Sequence, residues 1–179
     1  MGNRVSFSKE VLTIEKVAQK HRDFENGLRF YYNAPGLPRR DLKFVGYSRD
    51  DLVRELDERL RDLDRDSAFG ILAALEASFR VDFHLRCEKR LKDDLSRHFR
   101  RLDKRSLRRL AFEEQILEAW KRHVPAAKTL ISEIIGAFKY RHWLAHGRYW
   151  EPKLGKRYDF FSVYLLAQRM EQVFQKSDN

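Results

Sequence analysis

Apolar residues return at steps of three, four and seven along nearly the whole of this chain, and that spacing constrains the fold more than any other feature. Phe7, Val11, Ile14, Ala18, His21, Leu28 and Tyr31 make one stripe. Leu52, Leu56, Leu60 and Leu63 make a second, and Ala68, Ile71, Leu72, Leu75, Phe79 and Phe83 a third. The pattern continues through Leu91, Leu95, Phe99 and Leu102, through Leu110, Ile116, Leu117 and Trp120, and through Leu130, Ile131, Ile134, Ile135, Ala137 and Phe138. A period of about 3.6 residues places each set on one face of an α-helix, where it can be buried against a neighbour. With 8 Gly and 4 Pro in 179 residues, the joints between such helices must be short. The chain is therefore expected to be all-α.

Helix-capping chemistry sets the expected boundaries. Ser8 is read as the cap of a first helix over residues 8–32, bent near Gly27. The Pro- and Gly-containing stretch 33–40 is a loop, with a short extended piece from Asp41 to Tyr47. Arg39, Arg40 and Lys43 there are possible phosphate contacts or simply solvated charges. Ser48 caps the next helix, with Asp50 and Asp51 complementing its dipole. Asp64 to Ser67 reads as a break and a fresh cap, and Ser106 or a near neighbour caps a later helix. His123-Val124-Pro125 ends that one, Pro125 suiting the first turn of the next. Asp159 caps a last helix whose start, Phe160, Phe161 and Tyr164, is rich in aromatics that suit a dimer contact. At this length one domain over 1–179 is expected, with an N-terminal helix and loop over 1–47 and a core over 48–176.

Composition narrows the function. With 13 Phe, 7 Tyr and 3 Trp the chain can bury a core and is not a disordered segment. No apolar run is long enough to cross a bilayer, and residues 1–10 lack the apolar core of a signal peptide. The single cysteine, Cys87, excludes an intrachain disulfide and a Cys-rich zinc site. A cytoplasmic protein is the expectation. The net charge of +10 favours a polyanion, nucleic acid before anionic membrane. From Arg86 to Arg109 eleven Lys or Arg stand against four acids. That stretch is either a footprint for a polyanion or a solvating face.

The densest chemistry lies at Lys139-Tyr140-Arg141-His142-Trp143-Leu144-Ala145-His146-Gly147-Arg148-Tyr149-Trp150. Gly147 stands where a helix C-terminus favours a left-handed residue. Arg141 offers a planar fork of donors that fits phosphate. His146 carries an imidazole, which can accept and give up protons. A cation for phosphate beside a proton-transfer group suffices to cleave RNA without a metal: the 2′-hydroxyl attacks, a base takes its proton, and the cation steadies the phosphorane. Arg148, Tyr149, Lys139 and Lys153 are placed to contact RNA, the tyrosine by stacking. Trp150 is read as packing the loop back onto the helices.

Arg141-His142-x-x-Ala145-His146-Gly147, closing a late amphipathic helix, resembles the motif of the HEPN superfamily, an Arg, a polar residue, a few more residues and a His. Within it the likeness points to the RiboL-PSP-like ribonucleases. The sharp match covers about a dozen residues. The polar position, often Asn in the family, is His142 here. The resemblance implies an antiparallel helical bundle that forms a homodimer with two motifs across a shared cleft, here carrying an extra N-terminal helix. It implies metal-independent endoribonuclease activity without a cofactor, in a toxin or phage-defence effector with an antitoxin or other regulatory partner. Arg141 would bind the scissile phosphate, His146 act as general base or acid, and His142 assist. An acid on an earlier helix often supports the motif, which brings in Glu76, whose alternative partner is Arg80 at i+4.

Other readings of the same residues remain. His142 and His146 at i and i+4 also match a zinc pair, although no third ligand lies at a matching spacing. His146 also suits a helix C-terminus as a cation. Many HEPN members are catalytically inactive binding modules, so a nucleic-acid- or protein-binding role is the alternative to catalysis.

Overall fold

The computed structural model describes residues 10–33, 41–105 and 110–177. The described residues form helices joined by turns and loops, and among them there is no strand. The helices are α1 (Ile14–Asn33), α2 (Arg49–Glu88), α3 (Asp94–Arg105), α4 (Glu118–His123), α5 (Lys128–Ala145) and α6 (Phe160–Ser177). Short 3-10 turns cover Leu42–Phe44 and Pro125–Ala127, and a π-helical turn, Phe112–Leu117, leads into α4.

The 40-residue α2 is the spine of the molecule, about 60 Å long at 1.5 Å per residue. It begins at a reciprocal cap: Ser48 Oγ accepts from the Asp51 N–H, and the Asp51 carboxylate accepts from the Ser48 N–H. The expected break at Asp64–Ser67 does not exist. The inner face runs through Leu56, Leu60, Leu63, Ser67 and Ile71 without losing phase, so nothing interrupts the helix. The two supposed capping residues serve other helices instead. Ser67 Oγ lies 2.9 Å from His21 Nδ1 on α1, and Asp64 Oδ1 accepts the Phe160 N–H at the start of α6, 3.1 Å away.

Paired contacts fix the directions. Tyr32 meets Glu55, His21 meets Ser67 and Val17 lies under Gly70, so α1 runs antiparallel to α2. Phe99 against Phe83 and Ser96 against Arg86 make α3 antiparallel to α2. The reversal between them is held by Arg86, 4% exposed, which reaches Asp82, Asp93 and Ser96. Arg141 on Glu76, with Arg148 just past the end of α5 on Asp62, makes α5 antiparallel to α2, whereas Asp64 with Phe160 and Phe79 with Phe174 make α6 parallel to it.

The main core lies between the second half of α2 and helices α3 to α6. Phe79 sits at its centre, edge-on to Phe112, Trp120 and Phe174 at 5.8, 5.9 and 5.0 Å. A smaller cluster of Tyr32, Phe44 and Leu56 locks the far end of α1 to the start of α2.

Several boundaries differ from the sequence pattern. Thr13, whose Oγ1 accepts from the Lys16 N–H, starts α1; Ser8 and the loop residues Arg39 and Arg40 lie outside the described residues. α1 continues through Gly27. Asp41–Tyr47 holds a 3-10 turn rather than an extended piece, because the Asp41 carboxylate accepts from the Lys43 N–H and starts a helical turn. Within the basic stretch from Arg86, Arg90, at φ +53°, turns the chain between α2 and α3. Ser106 is outside the described residues, and the helix after it opens at Ala111, whose N–H donates to Gln115 Oε1.

Candidate functional site

The end of α5 shapes the region of interest. Gly147 takes the left-handed conformation (φ +77°), its N–H donates to the Leu144 carbonyl, and the Arg148 N–H donates to the Trp143 carbonyl at 3.2 Å. These two bonds form a Schellman ending. Arg148 also has a positive φ, +61°, so the chain doubles back sharply. Trp150 is thereby returned to the helix, where its carbonyl accepts from Trp143 Nε1 at 2.6 Å. Its ring lies 6.0 Å from His142 and 6.4 Å from His146.

His142 and His146, one helical turn apart, bring their ring centres to 4.3 Å. Both are exposed. Two imidazoles at this separation, open to solvent beside an indole, can pass protons to and from one bound molecule.

Arg141 faces elsewhere. Its Nη2 lies 3.1 Å from Glu76 Oε2, and Oε1 of the same carboxylate takes Nε and Nη2 of Arg80 at 2.8 and 2.7 Å. The two alternatives for Glu76 are thus both realised. The guanidinium of Arg141 lies over Phe69 (5.4 Å) and Phe138 (5.9 Å), and its buried Nε has no hydrogen-bond partner. Arg80 and Arg141 share the Glu76 carboxylate, and Glu113 and Glu114 stand in the same cavity wall as Arg141, so its surroundings carry no formal excess of positive charge.

Two adjoining cavities separate these groups. One, about 390 Å³, is lined by Glu76, Phe112, Glu113, Phe138 and Arg141. The other, about 370 Å³, is lined by Glu113, Lys139, His142, Trp150, Lys153 and Leu154. His142 and His146 share a helix face, while Arg141 and His146 are about 140° apart around the axis. Within one chain Arg141 and His142 therefore line different cavities, and His146 lines neither of the two.

The other candidate contacts divide. Lys139 and Lys153 are exposed and line the histidine cavity. Tyr149 is 84% exposed and meets Trp150 edge-on at 4.7 Å. Arg148 instead ties its loop to α2 through Asp62, 3.3 Å away, whose carboxyl it holds below the ordinary carboxylate range. On α3, Arg97 pairs with Asp94 and Arg100 donates to the Leu91 carbonyl, so part of that basic face is occupied within the chain.

Sequence reasoning missed Glu113, which stands in the wall of both cavities. Burial raises its carboxyl above the ordinary value, against the opposing pull of His142, Lys139 and Arg141. Its place at the start of a π-helical turn carries no sequence signature. Among the described residues no three His, Cys, Asp or Glu side chains gather as a metal site, and no helix is long and apolar enough to cross a membrane. Comparison with protein-family models, with curated proteins and with solved structures returns no match.

Proposed function

We propose that this chain is a metal-independent endoribonuclease of HEPN type that works as a homodimer. The observation that carries the reading is the His142–His146 pair, ring centres 4.3 Å apart and exposed at the end of α5, with Arg141 on the same helix. One neutral imidazole, assigned to His146, accepts the 2′-hydroxyl proton as that oxygen attacks phosphorus. The bond to the 5′-oxygen breaks, and a protonated imidazole, His142 or a partner copy's histidine, returns a proton to the leaving oxygen. The products are a 2′,3′-cyclic phosphate and a 5′-hydroxyl. Arg141, with Glu76 and Arg80 behind it, holds a phosphate oxygen, and Lys139, Lys153 and Tyr149 hold the flanking RNA.

A dimer suits this arrangement because the arginine of one copy can complete the histidine site of the other across a shared cleft. Such an enzyme fits a toxin or phage-defence effector held in check by an antitoxin or other regulatory protein. Expression of the wild type should then slow growth, and His146→Ala should relieve it.

One observation favours the second reading, an inactive nucleic-acid- or protein-binding module: Arg141 is pinned by Glu76 and does not share a cavity with His142. Separate Arg141→Ala and His146→Ala variants decide between the two. The ribonuclease reading expects each to abolish formation of cyclic-phosphate ends while far-UV circular dichroism stays unchanged. Cleavage that survives both substitutions assigns the activity elsewhere.

A further inference from the structure

A third cavity, about 520 Å³, opens on the other side of the loop that carries Trp150. Pro152 and Leu154 stand in its wall and also in that of the histidine cavity, so the two are neighbours across one strand of chain. Three aromatic rings line it. Tyr140 stacks on Trp143 on one side and on Tyr158 on the other, each at 5.8 Å between centres, with interplanar angles of 24° and 16°. Trp143 is only half-buried, leaving part of the outermost ring open.

The charges in the wall are of two kinds. Arg61 and Arg157 are exposed, and among the described residues neither makes an ion pair, whereas Arg65 is taken by Asp62. Asp64 is half-buried and gives one oxygen to the Phe160 N–H. Burial raises its carboxyl above the ordinary range, so this group gains from a further donor. With Asp57 and Asp159 also in the wall, three carboxylates offset three arginines. A cavity neutral in sum does not select a bare anion. It fits a ligand with an anionic end for the arginines, a flat ring for the aromatic ladder, and N–H donors at the ring's edge for a carboxylate. The volume matches a ligand of that size.

We propose that this cavity binds one nucleotide unit, its base against Trp143 and within reach of Asp64, its phosphate held by Arg61 and Arg157. The proposal deepens the ribonuclease reading and rests on it only for the polymer being RNA: the unit bound here lies next to the one at the histidines. Base stacking on an aromatic ring with an arginine on the adjacent phosphate is how single-stranded nucleic acid is held without strict sequence preference.

Calorimetric titration of the full chain with AMP and GMP, adenosine, and inorganic phosphate tests it, because none of these probes has a bond to cleave. A nucleotide Kd of about 1 mM or tighter is expected, with adenosine and phosphate alone weaker by about tenfold or more. The Arg61→Ala/Arg157→Ala variant, changed only at exposed and unpaired side chains, should bind the nucleotides no better than adenosine. Nucleotide should quench tryptophan fluorescence in the wild type, and most of that quenching should vanish in Trp143→Phe while the calorimetric heat remains. Absence of saturable heat, phosphate binding as tightly as nucleotide, or an unaffected arginine variant overturns the proposal. His146→Ala should leave nucleotide binding intact. Binding in a wild type that never cleaves RNA would sink the ribonuclease reading and leave this cavity's assignment standing.

Discussion

Replacing Glu76 with Gln keeps the side-chain volume and removes the negative charge that Arg80 and Arg141 share. Glu76 accepts from Arg80 Nε at 2.8 Å and forms ion pairs with Arg80 Nη2 at 2.7 Å and with Arg141 Nη2 at 3.1 Å. A charge-assisted contact contributes about 1.5–3 kcal/mol when water is excluded. Here the three side chains keep 17%, 27% and 31% of their exposure, so solvent screens both contacts. The pair together then contributes about 2 kcal/mol. For a chain of this size that lowers Tm by about 4–8 °C. Differential scanning calorimetry reads the shift directly, and moderate salt should shrink it. A double-mutant cycle of Glu76→Gln with Arg141→Gln isolates the bond that holds the candidate phosphate-binding arginine, with a coupling of about 1 kcal/mol expected. If Arg141 works as proposed, cleavage in Glu76→Gln should fall by about tenfold to a hundredfold, because the guanidinium loses its anchor. A Tm within about 1 °C of wild type, with the cycle additive to within about 0.3 kcal/mol, would refute the reasoning.

The remaining predictions address the frame of the site. A Cβ at Gly136 would lie 2.5 Å from Tyr158 Oη, so Gly136→Ala should destabilise by about 1 kcal/mol, overpacking outweighing the gain in helix propensity. Tyr158→Phe removes the clashing oxygen, and in that background Gly136→Ala should be neutral or stabilising; equal effects in both backgrounds would count against the packing described. Gly147→Ala should lower stability by about 1 kcal/mol, since an alanine strains at φ +77°, and urea denaturation checks it. His21 stacks on Phe160 at 3.8 Å and burial lowers its pKa below the ordinary 6.5. The unfolded chain then takes up the proton more readily, so this contribution is present above pH 6.5 and lost as pH falls through the lower folded value. Burial of His98 acts with the same sign. Thermal melts of His21→Gln should show a shallower loss toward acid than the wild type, and an unchanged profile would remove His21 from that account.

Much of the fold was legible because it follows from local rules. Ser48 with Asp51, Pro125, Asp159 and Gly147 mark helix ends by chemistry that the sequence carries in a few adjacent residues. Where the reading failed, the residue's partner was distant. Asp64 and Ser67 look like a cap in isolation, yet their side chains bond to α6 and α1, 96 and 46 residues away in sequence. Glu76 shows the same limit in a milder form: its i+4 pairing with Arg80 was visible, and its sharing with Arg141 depended on how α5 crosses α2. At the site, both the closeness of His142 and His146 and the separation of Arg141 from them follow from helical spacing. Glu113 and the Tyr140–Trp143–Tyr158 ladder come together only through tertiary packing, so no local pattern announces them.

The central claim is tested most directly by incubating the purified chain with end-labelled single-stranded RNA and tRNA in EDTA, beside an Arg141→Ala/His146→Ala variant. The account predicts cleavage by the wild type alone, undiminished by the chelator, with 2′,3′-cyclic phosphate ends. No cleavage by either protein, with salt-sensitive RNA binding retained by both, would contradict it and leave a binding module.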